Sequence, residues 1–304
     1  MMPHGKCSSP EAGGQSLRPR TPRGRENRLN DLTASEWLYW TDTLYITHYP
    51  PDATHSLRKV HGAMKPPEVM ADIIRFFTKE GQLVLDPMAG VGGTLLGAAL
   101  ANRAAVGFEL NPAWVEVYRR IQQEFVVWEG RLVERTELPD GEVGLPIQPE
   151  MRAGDCLELI KQLEEESVDA VITDPPYGQE HGPGGFARET NFAMTNPGQE
   201  RDFGNAPTLD AYLSQMRRLG REVKRVLKPG KYLVLIIGDR YRRGEYLPLG
   251  FMVAQEMRAV GFKLKGIRIW CNKATQRPLK PYAVFTSFAP NITHHNLVIL
   301  RKEG

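Results

Sequence analysis

Apolar positions in this chain fall into short blocks, and the blocks switch between two periodicities. Residues 82–85, 104–108, 151–153, 168–172, 232–237, 264–270 and 297–300 are compact, mostly apolar runs of strand length. Between them apolar residues recur every third or fourth position, as on one face of a helix. Val69, Ile73, Ile74 and Phe77 make the first such set, opened by Pro66 or Pro67 and ended by Gly81. A second covers residues 95–101. A third, with Val115, Tyr118, Ile121 and Phe125, has Asn111 as N-cap and Pro112 behind it. Leu157, Ile160 and Leu163 mark a short fourth. Leu209, Leu213, Met216, Leu219, Val223 and Val226 form a long fifth, capped by Thr208 and stopped by Pro229 and Gly230. Residues 248–260 form the last, with Gly261 as C-cap. Strands alternating with helices predict an α/β fold built on a mostly parallel sheet.

The run 168–172 ends in Thr173, Asp174, Pro175, Pro176, Tyr177 and Gly178. A buried strand that ends in this way brings its tip to the carboxyl edge of the sheet, where open α/β sheets hold their ligands. The residue types suit one chemistry. An aromatic exocyclic amine is a poor nucleophile because its lone pair is delocalised into the ring. The Asp174 carboxylate and the Pro175 carbonyl can accept its two hydrogens, localising the lone pair on nitrogen and aiming it at an electrophile. Two prolines have fixed φ and no N–H, so they hold that carbonyl rigidly. Tyr177 offers an aromatic face for a planar base. Read without context, the same residues also make a Pro-Pro turn with a capping aspartate.

A second strand end carries Asp86, Pro87, Met88, Ala89, Gly90, Val91, Gly92, Gly93 and Thr94, a glycine-rich turn leading into a helix. The next strand ends at Glu109, where a carboxylate can accept hydrogen bonds from both ribose hydroxyls. The glycines do not spell the dinucleotide fingerprint, because Leu95 stands where its last glycine falls. Asp86 would also repel a pyrophosphate. S-adenosyl-L-methionine (SAM) carries an ammonium and a sulfonium and satisfies this electrostatic pattern. Asp155 opens the next helix and can either cap it or bond an adenine amine; both readings stand at this point.

Composition changes this picture little. The 304 residues, 41% hydrophobic and 25% charged, are ordinary for a globular protein, and the net charge of +3 with a pI near 8.7 permits a nucleic-acid partner. Cys7, Cys156 and Cys271 lie far apart without metal-ligand or disulfide spacing, so no metal is expected and a reducing cytoplasm is the expected location. No apolar run approaches the roughly 18 residues of a membrane span, so no membrane partner is expected. Residues 1–29 hold Arg18, Arg20, Arg23, Arg25 and Arg28 and read as a disordered basic arm, either drawn to phosphates or simply solvated. From Asn30 onward Asp31, Thr33 and Glu36 precede Trp37, Trp40 and Tyr45, aromatics expected to pack. The remainder, 30–304, reads as one domain with insertions at about 129–150 and 179–206. The second insertion, with His181, Phe186, Arg188 and Phe192, reads as a lid or a substrate contact. Lys273, Arg277 and Lys280 are phosphate contacts or ordinary solvated charges.

Taken together, the tetrapeptide Asp174-Pro175-Pro176-Tyr177 and the loop from Asp86 to Thr94 resemble the SAM-dependent amino-methyltransferases of DNA, which methylate adenine N6 or cytosine N4. His61, Gly62, Ala63, Met64, Lys65, Pro66 and Pro67 resemble the family segment that closes over the cofactor, and Ala289, Pro290, Asn291 and His295 add to the likeness. The resemblance implies a Rossmann-like methyltransferase fold, mostly parallel with an antiparallel edge strand. It implies a cofactor set of Lys65 and Thr94 near the methionine carboxylate and Asp86 near the ammonium. Pro87, Met88, Ala89, Gly90 and Gly92 form the loop, Glu109 meets the ribose and Asp155 the adenine, and Leu110, Cys156 and Asp174 complete the cofactor set. The implied substrate is double-stranded DNA with the target base flipped out, adenine N6 favoured, in a restriction–modification setting. Homodimerisation is compatible with it. Cytosine N4 is the same chemistry on another base. The run Thr-Asp-Pro-Pro-Tyr-Gly also resembles guanine N2 methyltransferases of transfer RNA. A catalytically silent SAM- or DNA-binding module would carry a broken tetrapeptide, and here it is intact.

Overall fold

The computed structural model describes residues 26–178, 200–242, 244–275 and 288–304. The arm before residue 26, the loop stretch with His181, Phe186, Arg188 and Phe192, and Arg277 and Lys280 lie outside the described residues. The chain begins with α1 (Ala34–Tyr39), whose Thr33 and Glu36 form a reciprocal capping box. β1 (Leu44–Thr47) and the short α2 (His55–Arg58) follow. Trp37 and Trp40 sit 4.9 and 4.7 Å from the Phe76 ring, so these aromatics pack, as expected.

α3 (Pro67–Phe77) starts on Pro67 and buries Val69, Met70, Ile73, Ile74 and Phe77. It stops at Phe77, short of Gly81, which bends the following turn with φ +74°. Then come β2 (Leu83–Asp86), α4 (Gly93–Leu100), β3 (Ala104–Glu109) and α5 (Pro112–Glu124). Asn111 caps α5 by accepting the Ala113 N–H. Phe125 leaves the helical pattern and begins β4 (Phe125–Trp128), which pairs antiparallel with β5 (Arg131–Glu134) and β6 (Leu145–Pro146). Glu129 and Gly130, at φ +47° and +73°, form the tight hairpin turn. This small sheet buries Val126, Val127, Leu132 and Ile147, so the polar stretch 129–150 has its own core contacts.

β7 (Glu150–Ala153) and α6 (Cys156–Leu159) lead to β8 (Val168–Thr173), buried at every position because parallel strands flank it on both sides. α7 (Leu209–Val226) ends at Val226. Leu227 already lies in register with Val168, and β9 (Leu227–Ile237) takes in Pro229 and Gly230 as an irregularity with Gly230 at φ +76°. The Pro-Gly pair therefore bends a strand rather than stopping the helix. The hairpin strands β10 (Arg240–Arg242) and β11 (Glu245–Leu247) precede α8 (Leu249–Val260), β12 (Lys263–Asn272) and β13 (His295–Arg301).

The main sheet has eight strands in the order β1-β12-β13-β9-β8-β2-β3-β7. Among the described strands of this sheet only β13 opposes its neighbours, giving the mostly parallel, Rossmann-like α/β fold. The antiparallel strand lies inside the sheet, between β9 and β12, because β12 and β1 continue the sheet beyond it. Strand alternation splits the core in two. Val234 and Ile236 face one cluster with α3, α4 and α5, whereas Leu233, Leu235 and Ile237 face another with α6, α7 and α8. No helix among the described residues is long and apolar enough to cross a membrane.

α3 and α4 touch at Gly97, where an added Cβ would lie 2.6 Å from Met70 Cβ and 2.8 Å from the Ala71 nitrogen. Overpacking at such a contact costs roughly 1–3 kcal/mol, against a helix-propensity gain of about 1 kcal/mol. We expect Gly97→Ala to lower the denaturation midpoint, while Gly266→Ala, with nothing within 4 Å of its new Cβ, leaves it nearly unchanged. Equal midpoints for the two variants would contradict the close α3–α4 approach.

Candidate active site

Parallel strands share a carboxyl edge, and this edge gathers the acidic residues of the protein's strand ends. Asp86 closes β2, Glu109 closes β3, Asp155 follows β7, Asp174 follows β8 and Asp239 follows β9. The antiparallel β13 brings His295 to the same edge at its N-terminal end.

The glycine turn is shaped partly by its own packing. Gly92 has φ +82°, and a Cβ there would come within 2.2 Å of the Tyr118 ring, so α5 alone requires this glycine. Gly90, at φ +53°, faces His61, whose Nε2 would be 3.3 Å from an added Cβ. Gly90 N–H donates to Glu109 Oε2 at 2.8 Å, and Asn111 N–H donates to Oε1 at 2.7 Å. Ala89 N–H is taken by the Phe108 carbonyl, which fixes the turn to β3. Pro87 and Ala89 are buried, and Met88 and Leu110 half-buried, around the same turn.

Asp86 is 3% exposed and pairs with no cation among the described residues. Its carboxylate accepts the Thr94 hydroxyl at 2.5 Å and the Met88 N–H at 3.0 Å. Burial raises its pKa to about 6, with Thr173, Thr94 and Met88 opposing and Asp174 adding repulsion. Glu109 is raised further, to about 7, again chiefly by burial, with Asp202 and Asp86 as like charges and the Asn111 and Gly90 N–H groups pulling the other way. Two neighbouring carboxyls that are costly to ionise suit a ligand that brings positive charge and hydroxyl donors.

At the tip of β8, both oxygens of Asp174 have partners. Lys65 Nζ lies 2.5 Å from Oδ2, and the Tyr177 hydroxyl donates to Oδ1 at 2.7 Å. Lys65, implied by resemblance to meet the cofactor carboxylate, thus rests on the tetrapeptide aspartate. Pro175 is buried and Pro176 half-buried. Tyr177 has its ring against Gly238, where a Cβ would fall 3.1 Å from Cε2. Asp155 caps α6 through Oδ1, accepting the Leu157 N–H at 2.9 Å, and the Cys156 thiol beside it is buried with its pKa pushed up. Capping is therefore present, and a cofactor contact would have to use the other carboxylate oxygen. Lys273 stands exposed at the end of β12, on this same edge.

Several features of the site escaped the sequence reading. Arg58, fully buried, pairs with Asp52 at 3.0 Å and donates to the Lys65 carbonyl at 2.5 Å. Breaking a buried pair of this kind costs about 3–5 kcal/mol, so it pins the backbone that carries Lys65. No periodic signal marks an arginine in a polar stretch. His61 lies edge-on to Trp114 at 5.2 Å, and burial with the charges of Lys65 and Arg58 lowers its pKa to about 4, so it is neutral. Asp202 is buried and close enough to raise Glu109, which brings the described end of the second insertion onto the site. Asp239 could have been found, because it ends an apolar strand as Asp174 does.

Known proteins resemble this chain in the same parts. The family profile described as DNA methylase matches residues 15–120 and 168–303, and one described as RMKL-like methyltransferase domain matches 76–185. The type II methyltransferase M.HindIII of Haemophilus influenzae is 51% identical over 51 residues, 17% of this chain and 16% of its own length. The tRNA (guanine(10)-N2)-dimethyltransferase of Methanocaldococcus jannaschii is 28% identical over 150 residues, 49% of this chain and 38% of its own. The aligned parts therefore span well under half the length of these relatives. Among solved structures, the Thermus thermophilus protein TTHA0409 in complex with SAM is 28% identical, covering 49% of this chain and 54% of that one, with a TM-score of 0.34. The DNA methylase profile takes in the glycine turn and the strand-end tetrapeptide together over well more than half of the sequence, and the chain belongs to that family of N6/N4 methyltransferases.

Proposed function

We propose that this protein is a SAM-dependent methyltransferase that acts on the exocyclic amine of a base flipped out of DNA, with adenine N6 as the preferred target. The observation that carries this reading is the Asp174 carboxylate at the tip of β8, held from two sides by Lys65 and Tyr177. It stands beside the buried Asp86, which has no cationic partner among the described residues, and the doubly donated Glu109. Asp86 fits the ammonium of SAM, because a buried carboxylate without a cationic partner gains most from one. Glu109 keeps lone pairs for ribose hydroxyls on oxygens already oriented by Gly90 and Asn111. Lys65, seated on Asp174, would hold a cofactor carboxylate, with Thr94 and the loop from Pro87 to Gly92 lining the same turn. Leu110, Asp155 and Cys156 border the adenine end.

When bound, SAM supplies an electrophilic methyl group. The chain's residues prepare the other partner. Asp174 and the Pro175 carbonyl accept the two amine hydrogens, which turns the nitrogen lone pair out of conjugation and towards the methyl. Lys65 and the Tyr177 hydroxyl fix the rotamer of Asp174, so its acceptor direction is set before the base arrives. His61, neutral and packed against Gly90, would add no positive charge beside a cationic cofactor. Cytosine N4 presents the same amine geometry. A second reading, guanine N2 in transfer RNA, is favoured by the similarity to archaeal tRNA (guanine(10)-N2)-dimethyltransferases.

Three outcomes follow. Digesting SAM-treated genomic DNA to nucleosides should reveal N6-methyladenine by mass spectrometry; methylated transfer RNA with unmodified DNA would replace this reading with the RNA one. Asp174→Ala should slow methyl transfer by about a hundredfold or more while SAM still binds by calorimetry, and retained turnover would sink the assignment. The third concerns pH. Because the folded protein holds protons on Asp86 and Glu109 to about 6 and about 7, above their ordinary values, their contribution to stability is present at low pH and lost as pH rises through that window. A cationic ligand favours the ionised forms. The rise in Tm given by SAM should therefore be larger at about pH 7.5 than at about pH 5.5, and Asp86→Asn should flatten the difference. Equal shifts at both pH values would exclude Asp86 from the cation site.

A further inference from the structure

The hairpin β10–β11 has no role in the core. Among the described residues its strands pair only with each other, and none of those between 240 and 247 belongs to either buried cluster. It leaves the sheet from the carboxyl end of β9, next to the β8 tip, with only Gly238 and Asp239 between Ile237 and Arg240. Its base is nonetheless held firmly. Asp239 Oδ1 accepts the Gly250 N–H at 3.0 Å, its Oδ2 accepts the Tyr246 hydroxyl at 2.7 Å, and His294 Nε2 lies 3.8 Å away. Burial works against the Asp239 charge, but these hydrogen bonds together with Asn296 hold its pKa down to about 2, so it stays an anionic anchor. The rings of Tyr241 and Tyr246, directly opposite in register, meet edge to face at 5.5 Å and stiffen the ribbon.

Strand alternation divides the hairpin into two faces. Tyr241 and Tyr246 share one; Arg240 and Arg242 share the other. The arginine face is turned to the active site, since Arg240 Nη1 donates to the Gly178 carbonyl at 3.1 Å, one residue past Tyr177. Two strand residues advance by about 7 Å, so Arg242 carries its charge that much further out along the same face. Tyr246 is 40% exposed, and Gly244 at φ +84° turns the ribbon in the open. Glu245, opposite Arg242, is a surface carboxylate. Its negative charge works against a phosphate approaching this strand position.

We propose that this hairpin is a contact for duplex DNA, its arginine face holding phosphates that flank the base seated at Asp174. The inference rests on the DNA methyltransferase reading above. A rigid ribbon, anchored beside the catalytic tip and carrying guanidinium charge outward from it, orients the strand from which the base is drawn; such contacts set register without reading sequence.

The test is fluorescence anisotropy with the full chain and a labelled DNA duplex across a salt series, with Arg242→Gln and Glu245→Gln. Arg242→Gln should weaken duplex binding about tenfold at low salt and reduce the slope of log K against log salt by about 0.9, one phosphate contact. Glu245→Gln should strengthen binding, because the competing carboxylate is gone. Calorimetric SAM affinity should stay unchanged in both. Unaltered duplex affinity and slope in both variants would overturn the inference, as would a parallel loss of SAM binding, which marks a structural role. Weakened binding of a transfer RNA transcript with duplex binding intact would also overturn it. Should the wild-type protein methylate DNA while Arg242→Gln behaves identically, the hairpin inference alone fails; a wild-type protein that neither binds nor methylates DNA removes the functional reading and the hairpin role with it.

Discussion

The architecture turns on the burial of like charges at one edge of a sheet. Parallel strands bring Asp86, Glu109 and Asp174 to the same edge, and each raises the cost of ionising a neighbour. Of these three, among the described residues, only Asp174 has a cationic side chain as partner. The other two are kept by oriented N–H groups and, at Asp86, threonine hydroxyls, which supply partial positive charge without a full cation. A site left electrostatically unbalanced in this way is primed for a cationic ligand, and the neutral state of His61 leaves the imbalance in place.

That arrangement depends on parts of the chain far from it. Lys65 reaches Asp174 because its carbonyl is held by Arg58, and Arg58 in turn is held by Asp52. The elements before α3 therefore do more than decorate the sheet. α1 packs its tryptophans on Phe76, and Tyr45 and Tyr49 both donate to Asp72 on α3, which fixes this layer over the first core cluster. Arg268 of β12 stacks on Trp40 and Tyr45, tying the same layer to the far side of the sheet.

Much of this was legible in the sequence. Strand and helix order, the caps at Asn111 and Thr208, and the strand-end placement of Asp86, Glu109 and Asp174 follow from periodicity and local chemistry. Where the reading slipped, a tertiary contact outvoted a local signal. Pro229 and Gly230 read as a helix stop, but parallel pairing with β8 claims the chain at Leu227. Phe125 fits the helical stripe, yet it pairs with Glu134 in the small sheet. Gly92 is a different case: it lies in the turn implied to hold the cofactor, and the Tyr118 ring adds its own requirement for glycine there. Arg58 gave no sign at all, because a buried arginine is defined by partners that are distant in space from its sequence neighbours. The β10–β11 hairpin is too short and too polar to show strand alternation.

β13 has a consequence for how the molecule assembles. It lies between β9 and β12, both made before it on the ribosome, and pairs with each in antiparallel register. Until it emerges, both carry bare strand edges that face no partner in the sheet. β1 has a long wait as well, since among the described strands it pairs only with β12, and its contact between Thr47 and Asn272 spans 225 residues of chain. Local units such as β2-α4-β3 can form early, but closure of this far side is a slow search through long-range contacts. In a cell, the interval before β13 docks is when these exposed edges are most open to pairing with another chain, and a chaperone would protect this protein there.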